Sequence, residues 1–255
     1  HGAGEIKKGT GRVPDAHTRY RIGSVTKVFP VVQLYQLARD PESKVNLDNA
    51  LSDHGHGITF ANRFPGQSGR QPSLRELASQ RGGLPREAPC PNALMCGNIT
   101  DADMAAKINM SLATTLIHPP GAPMPSYSNM AYALLGRELV PGVAAATTAS
   151  GQSKSIPHKS KMATSPTWED YTQAHILDAL NLTRTGFGLD WSALDNNTAT
   201  GYLPNGKSTG DYHLGWTAPA GGMHSTTHDL NMLADAIMTG QAFGGDPVTA
   251  SEMMS

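Results

Sequence analysis

Ser24 and Lys27 are the residues whose types and spacing most directly suggest chemistry. They lie three positions apart in Ser24-Val25-Thr26-Lys27, and on a helix such residues share one face, with about 5–6 Å between their Cβ atoms. A serine hydroxyl is a weak nucleophile until a neighbouring base takes its proton. A lysine can be that base when burial or nearby cations lower its pKa. At a helix start, the Ser24 backbone N–H could also bind the oxygen of a reacting carbonyl.

A second motif, Tyr127-Ser128-Asn129, stands directly before an apolar segment. A tyrosine held near a lysine can act as a base or can donate a proton to a leaving group. An asparagine amide can bind a substrate amide and a lysine together. Each residue alone also has a purely structural interpretation, because Asn129 could cap the following helix and Tyr127 could be a packed aromatic side chain.

The elements that must position these motifs are mainly helical. Apolar spacing predicts a helix from Ser24 that bends at Pro30, because proline cannot donate to the carbonyl of Thr26. Capping residues and periodicity predict further helices, at about 73–80, 101–109, 129–140, 167–180 and 227–238. Residues 1–23 suit the end of a hairpin in a sheet region. Residues 141–166, rich in Ala, Thr, Ser and Lys, are predicted to be a mobile surface insertion.

The composition excludes some classes of function. The 255 residues carry 20 basic and 21 acidic side chains, a net charge of −1, which argues against a general nucleic-acid binder. The longest apolar runs are shorter than a membrane span, so we predict no membrane segment in this chain. No phosphate-binding glycine loop is recognisable and no cofactor is expected. His224 and His228 lie four apart, but the rest of a metalloprotease motif is missing, so no metal site is predicted.

Cysteines and glycosylation motifs favour a secretory compartment. Cys90 and Cys96 could form a local disulfide, and their spacing fits no zinc motif. Four Asn-x-Ser/Thr motifs occur, at Asn98, Asn109, Asn181 and Asn196. Together these features predict a secreted or lumenal glycoprotein. The alternative of free cysteines and unused motifs stays open.

Further motifs follow in a fixed order along the chain. They are Gly23–Phe29, Leu77–Pro85, Pro119–Gly121 ahead of Tyr127–Asn129, Ile176–Phe187, Gly201–Tyr202 and Pro219–Thr226. This ordered series, over about residues 17–240, resembles the serine β-lactamase-related family. That family includes class C β-lactamases, D-Ala-D-Ala carboxypeptidases, related esterases and the β-lactamase-like proteins of animals.

The resemblance implies a fold and a set of roles. The fold would be α+β, of the β-lactamase and DD-peptidase type, mostly its helical domain with an incomplete antiparallel sheet. Ser24 would be the acylated nucleophile, with Lys27 and Tyr127 sharing its activation, and Asn129 would bind substrate. The reaction would be acyl transfer from a small-molecule or peptide amide or ester to water or another acceptor.

The sequence departs from the family in one respect. The family carries a third motif, Lys-Thr-Gly or His-x-Gly, on a strand near its C-terminal end, and no such motif follows Thr226. We therefore expect residues 1–255 to be one partial domain, cut at both ends, with a sheet remnant at 1–23 and a mainly helical region at 24–255. Little or no turnover is expected from this piece, because losing an oxyanion donor typically costs about 10²–10³ in rate. A catalytically inactive scaffold or binding protein is the alternative, and the oligomeric state stays open.

Overall fold

A computed structural model describes residues 2–90, 96–97, 99–110, 115–150, 166–188, 196–209 and 213–254, with the backbone alone at 141–150. The eight α-helices of this described part are α1 Val28–Arg39, α2 Leu74–Ala78, α3 Asp101–Asn109, α4 Asn129–Ser150, α5 Trp168–Thr172, α6 Ala218–Gly221, α7 Thr227–Met238 and α8 Pro247–Met254. Short 3₁₀ turns cover Gly23–Lys27, Leu51–Asp53, Gly215–Thr217 and Gln241–Phe243, and a π-helical turn covers Gln173–Leu177.

One small sheet accompanies the helices in the described ranges. Its strands are β1 Tyr20–Arg21, β2 Gly186–Phe187 and β3 Met223–Ser225, in the order β1-β3-β2 with both pairings antiparallel. Arg21 and Gly186 both lie opposite His224 in the central strand. The described architecture is therefore mainly helical with a three-stranded antiparallel sheet, which confirms the predicted α+β class.

The hydrophobic core surrounds helix α4. This helix packs against α1, α2, α5 and α6, and Met130, Leu134 and Leu135 on it are fully buried. Phe29 of α1 and Trp168 of α5 are also fully buried against the same core. Since burying a large apolar side chain contributes about 1.5–3 kcal/mol, the packing of α4 and its neighbours stabilises the region that carries the residues at its N-terminal end.

Two of the predicted helices have the observed bounds, and other elements differ from the prediction. Helices α3 and α7 have the predicted bounds, whereas helix α4 continues to Ser150 and does not end at Val140. The remainder of the predicted insertion, residues 151–165, lies outside the described residues. Helix α8 was not predicted, because Pro247 and its neighbours lack a strong apolar period. The predicted helix at 167–180 changes to π-type hydrogen bonding after Thr172.

Two local predictions near the nucleophile need correction. Pro30 does not bend a helix, because the chain changes from a 3₁₀ turn to α-helix at Val28 and Pro30 falls in the first helical turn. The missing N–H of a proline is tolerated there. Within the described residues, strand β1 also forms no local hairpin, since it pairs with β3, some two hundred residues further along the chain.

Candidate active site

Ser24 and Lys27 lie on the 3₁₀ turn that follows strand β1. Gly23 has a φ of +51°, a conformation that favours glycine and lets the chain turn sharply from strand to helix. The turn is fixed to strand β3: the Ile22 N–H donates to the Met223 carbonyl at 3.1 Å, and the Met223 N–H donates to Thr26 Oγ1 at 3.3 Å. In a 3₁₀ turn, residues three apart eclipse each other. The serine and lysine therefore point the same way.

Tyr127, Ser128 and Asn129 are positioned by an adjacent loop. The Ser128 N–H donates to Gln80 Oε1 at 2.7 Å, and the Ser128 hydroxyl donates to the Pro85 carbonyl at 2.6 Å. Ser128 Oγ also accepts the Ala131 N–H at 3.1 Å, so Ser128 caps helix α4. The structural interpretation of Asn129 as the helix cap is therefore wrong, and Tyr127, at 39% exposure, is not a packed core aromatic.

The two motifs meet around the Ser24 hydroxyl. Ser24 Oγ lies 2.5 Å from the Tyr127 hydroxyl and 3.1 Å from Lys27 Nζ. Lys27 Nζ also donates to Asn129 Oδ1 at 2.7 Å and to the Ala220 carbonyl at 2.6 Å. The structure thus brings all four predicted site residues into one hydrogen-bonded cluster.

Helix α6 supplies the Ala220 carbonyl, and its approach to α4 depends on a small residue. A Cβ at Gly136 of α4 would lie 2.6 Å from the side chain of Pro219, closer than carbon atoms can pack. The glycine therefore lets α6 lie against α4, where Ala220 reaches Lys27. The motif at 219–226 contributes to the site through this backbone oxygen, a role that side-chain types could not indicate.

The surroundings change the acidity of both candidate bases. Lys27 is only 6% exposed, and burial lowers its pKa from the usual 10.5, although Tyr127 and Glu87 act in the opposite direction. Burial raises the pKa of Tyr127, but the nearby Lys27, the hydrogen bond with Ser24 and the positive charge of Arg86 outweigh it. The Tyr127 pKa is therefore below its usual 10. Both shifts bring proton transfer closer to neutral pH.

Two charged neighbours of the cluster, Glu87 and Arg86, were not predicted from the sequence. Asn129 Nδ2 donates to both carboxylate oxygens of Glu87, at 2.9 and 3.1 Å, and the Arg86 guanidinium lies 4.8 Å from the centre of the Tyr127 ring. Both residues directly follow the motif that ends at Pro85. Their adjacency to that motif was the only available signal.

The other candidate residues lie apart from this cluster. Cys90 and Cys96 are joined in a disulfide, with 4.8 Å between their Cα atoms. Asn109, Asn181 and Asn196 are exposed, whereas Asn98 lies outside the described residues. His224 lies in strand β3 and His228 in helix α7, so they do not share a helix face. Among the described residues, no three His, Cys, Asp or Glu side chains come together as a metal site would require.

No membrane segment was predicted from the sequence. Within the described ranges, every helix is too short or too polar to cross a lipid bilayer.

A cluster of serine, lysine, tyrosine and asparagine thus lies where the helical core meets the small sheet. A family model described as Beta-lactamase matches residues 2–253, so this chain belongs to the β-lactamase family. The predicted family resemblance is confirmed.

Relatives by sequence include eukaryotic proteins. The human protein named Putative beta-lactamase-like 1 is 31% identical over 229 residues, which are 89% of this chain and 40% of that protein. Beta-lactamase-like protein 4 of Dictyostelium discoideum is 31% identical over 225 residues, covering 84% of this chain and 35% of that protein. The chain thus spans two fifths or less of the length of these relatives.

Solved structures share the fold. An octameric penicillin-binding protein homologue from Pyrococcus abyssi superposes with a TM-score of 0.70 at 18% identity, over 99% of this chain and 52% of that one. A β-lactamase/D-alanine carboxypeptidase from Yersinia pestis gives a TM-score of 0.64 at 21% identity, over 92% of this chain and 58% of that one. At these identities the likeness establishes the fold alone.

Proposed function

We propose that this chain is a serine hydrolase or acyltransferase that forms an acyl-enzyme on Ser24 with an amide or ester of a small molecule or peptide. The observation that carries the proposal is the convergence of Lys27 Nζ and the Tyr127 hydroxyl on Ser24 Oγ, at 3.1 and 2.5 Å. A nucleophile within hydrogen-bond reach of its bases is the geometry that covalent catalysis requires.

The partners of Lys27 favour a role as base. Of the three hydrogen bonds of Lys27 Nζ described above, two go to the carbonyl oxygens of Asn129 and Ala220, which only accept hydrogen bonds. A neutral amine has two hydrogens, so both would bind these carbonyls and the lone pair would point at the remaining partner, Ser24 Oγ. The charged form fits equally well, with its third hydrogen directed at Ser24. Lys27 can therefore take up the serine proton without losing a hydrogen bond.

In the proposed reaction, Ser24 Oγ bonds to the substrate carbonyl carbon while its proton passes to Lys27 or Tyr127. The first hydrogen bond of the 3₁₀ turn runs from the Val25 N–H to the Ile22 carbonyl, so the Ser24 N–H precedes it and can stabilise the negative oxygen. The carbon–nitrogen or carbon–oxygen bond then breaks, and the leaving group takes a proton through Tyr127. Water or another acceptor releases the acyl group and restores the Ser24 proton.

The direct test is covalent labelling of Ser24. Because labelling needs one acylation per molecule and no turnover, the 255-residue chain is incubated to completion with a fluorescent fluorophosphonate or a fluorescent penicillin, and the adduct is mapped by peptide mass spectrometry. We expect the label on Ser24 and its loss in Ser24→Ala. Ser68→Ala is the matched control, because Ser68 is exposed on a loop and should label as the wild type does.

Failure of this test would support the alternative function. If Ser24 takes no label from either reagent while a known serine hydrolase labels in parallel, the acyl-enzyme proposal is refuted. A catalytically inactive scaffold or binding protein of the same fold would then be the better interpretation.

A further inference from the structure

The dipeptide Arg86-Glu87 lies against the Tyr127–Asn129 motif, and no predicted role accounts for it. The Glu87 carboxylate accepts from Asn129 Nδ2 at 2.9 and 3.1 Å. Arg86 Nε lies 3.2 Å from Glu87 Oε1, and the Arg86 guanidinium also lies over the Tyr127 ring, 4.8 Å from its centre. The dipeptide thus touches two of the four residues of the cluster.

Glu87 determines which end of the Asn129 amide faces Lys27. A carboxylate only accepts hydrogen bonds, so the NH₂ end of Asn129 must point at Glu87. The lysine only donates when charged, and it meets Asn129 Oδ1 at 2.7 Å. A flipped amide would direct N–H groups at the lysine and an oxygen at the carboxylate, which would lose both interactions.

The backbone of the same dipeptide holds Asn129 in place. The Arg86 carbonyl accepts the Asn129 N–H at 2.7 Å and the Met130 N–H at 3.3 Å. Asn129 is itself only 3% exposed. Its main chain and both ends of its side chain are therefore fixed, as preorganisation of an active site requires.

We infer that Glu87 is a positioning residue for acyl transfer, acting through Asn129 to hold Lys27 Nζ within reach of Ser24 Oγ. The catalytic consequence rests on the proposed function, whereas the effect on the Asn129 amide does not. The inference can therefore be tested both with and without a chemical reaction.

The reaction-based readout compares variants at position 87. We measure the rate of fluorophosphonate labelling of the 255-residue chain against probe concentration. In Glu87→Ala the limiting rate should fall by on the order of 10–100-fold, as expected for loss of catalytic alignment, with little change in the half-saturating concentration. Glu87→Gln keeps an oxygen that can accept from Asn129 and should stay within about threefold of the wild type. Unfolding of the protein would lower the fraction of the chain that labels, whereas misalignment of Lys27 lowers the limiting rate of the molecules that do label.

The second readout needs no activity. NMR of the Asn129 side-chain amide should show protected, slowly exchanging hydrogens in the wild type and in Glu87→Gln, and rapid exchange in Glu87→Ala. The pKa of Lys27 should be lower in Glu87→Ala and Glu87→Gln than in the wild type, because the negative charge of Glu87 raises the Lys27 pKa. Tyr127, Tyr132 and Arg86 also face the lysine and are unchanged in these variants.

A control and a second variant complete the design. Glu42→Ala removes an exposed glutamate from another loop and should match the wild type in both readouts. If Glu87→Ala does not fold, Glu87→Asp retracts the carboxylate by one methylene and should change both readouts in the same direction.

The outcomes separate the inference from the proposed function. Unchanged Asn129 exchange in Glu87→Ala or Glu87→Asp overturns the inference, as does wild-type labelling by either variant where the wild type labels. An unlabelled wild type refutes the proposed function only, because the amide exchange still decides the role of Glu87.

Discussion

Lys27 shows how one buried side chain can organise a site. Its ammonium group lies among Ser24, Asn129 and the Ala220 carbonyl, so each hydrogen of the charged form has an acceptor. Burial lowers its pKa, because removing a charge from water is costly. The same contacts that satisfy the lysine thus keep it ready to exchange a proton with the serine.

Tyr127 makes the shortest contact with the nucleophile and gives a prediction at the residue scale. Replacing Tyr127 with Phe keeps the ring beneath Arg86 and removes only the hydroxyl that lies 2.5 Å from Ser24 Oγ. Loss of an acid–base group typically costs about 10²–10⁴ in rate. We expect labelling of Ser24 to slow by that order, measured as the second-order rate constant with fluorophosphonate.

Tyr202 offers a matched control for this substitution. It is 39% exposed, as Tyr127 is, and its hydroxyl accepts the Lys8 N–H outside the cluster. Tyr202→Phe should leave the labelling rate unchanged. Equal rates for Tyr127→Phe and the wild type would show that Tyr127 takes no part in activation.

At the scale of elements, the loop between α2 and Glu87 connects the core to the site. Gln80, Pro85 and Arg86 all bind the Tyr127–Asn129 segment. Gly83 lies in the middle of this loop with a φ of +75°, and a Cβ there would overlap the His118 carbonyl oxygen. The loop's course therefore depends on a glycine at this position.

We predict that Gly83→Ala both destabilises the protein and slows labelling of Ser24. The left-handed backbone costs a non-glycine residue roughly 1–3 kcal/mol, and overlap with His118 adds to that cost or displaces the loop. Urea unfolding and the labelling rate should both change, because the loop carries Arg86 and Glu87 to the site.

Substitution of Gly66 is the control for Gly83→Ala, because it strains the backbone without displacing the loop that carries Arg86 and Glu87. Its φ is +74°, but a Cβ there meets open space. Gly66→Ala should cost no more than about 2 kcal/mol and leave labelling intact. Normal labelling by folded Gly83→Ala would argue against a role of this loop in positioning the site.

At the scale of the whole molecule, the chain is a β-lactamase-family fold that matches part of longer relatives. The disulfide between Cys90 and Cys96 and the three exposed glycosylation motifs suit a secretory compartment. Secretion and glycosylation stay predictions. The substrate and partners of the whole protein likewise belong to the proposal.

Buried His224 makes global stability depend on pH. Burial lowers its pKa to about 4 from 6.5, and the charges of Arg19 and Arg184 act in the same direction. Between these two pH values the unfolded chain binds a proton at His224 that the folded chain does not. The free energy of unfolding that depends on neutral His224 is therefore fully present above pH 6.5 and is lost as the pH falls towards 4. The loss from this residue is about 3 kcal/mol.

The prediction can be checked by urea unfolding at pH 7.5 and pH 4.5. His224→Gln should lose less stability between these pH values than the wild type, whatever its stability at pH 7.5. His118→Gln, at an exposed loop position, is the matched control and should lose as much stability as the wild type does. An acid sensitivity of His224→Gln as large as that of the wild type would contradict the assignment.

Local patterns predicted much of this fold and site. Helices α3 and α7 have clear caps, with Thr100 accepting from the Asp103 N–H and Thr226 from the Asp229 N–H, and such signals are short-range. The change of helix type near Pro30 and the extension of α4 to Ser150 were not predicted. Where several backbone hydrogen-bond patterns compete, packing against the rest of the chain decides between them.

The family and the order of its motifs follow from the amino-acid sequence, because Ser24, Lys27, Tyr127 and Asn129 are recognisable by type and spacing. Which other groups reach these residues depends on how the chain folds. The Ala220 carbonyl on Lys27 and the Glu87 carboxylate on Asn129 come from segments far apart along the chain. Hydrogen bonding depends on distance in space, and neither backbone oxygens nor loop carboxylates have a sequence signature that reveals their partners.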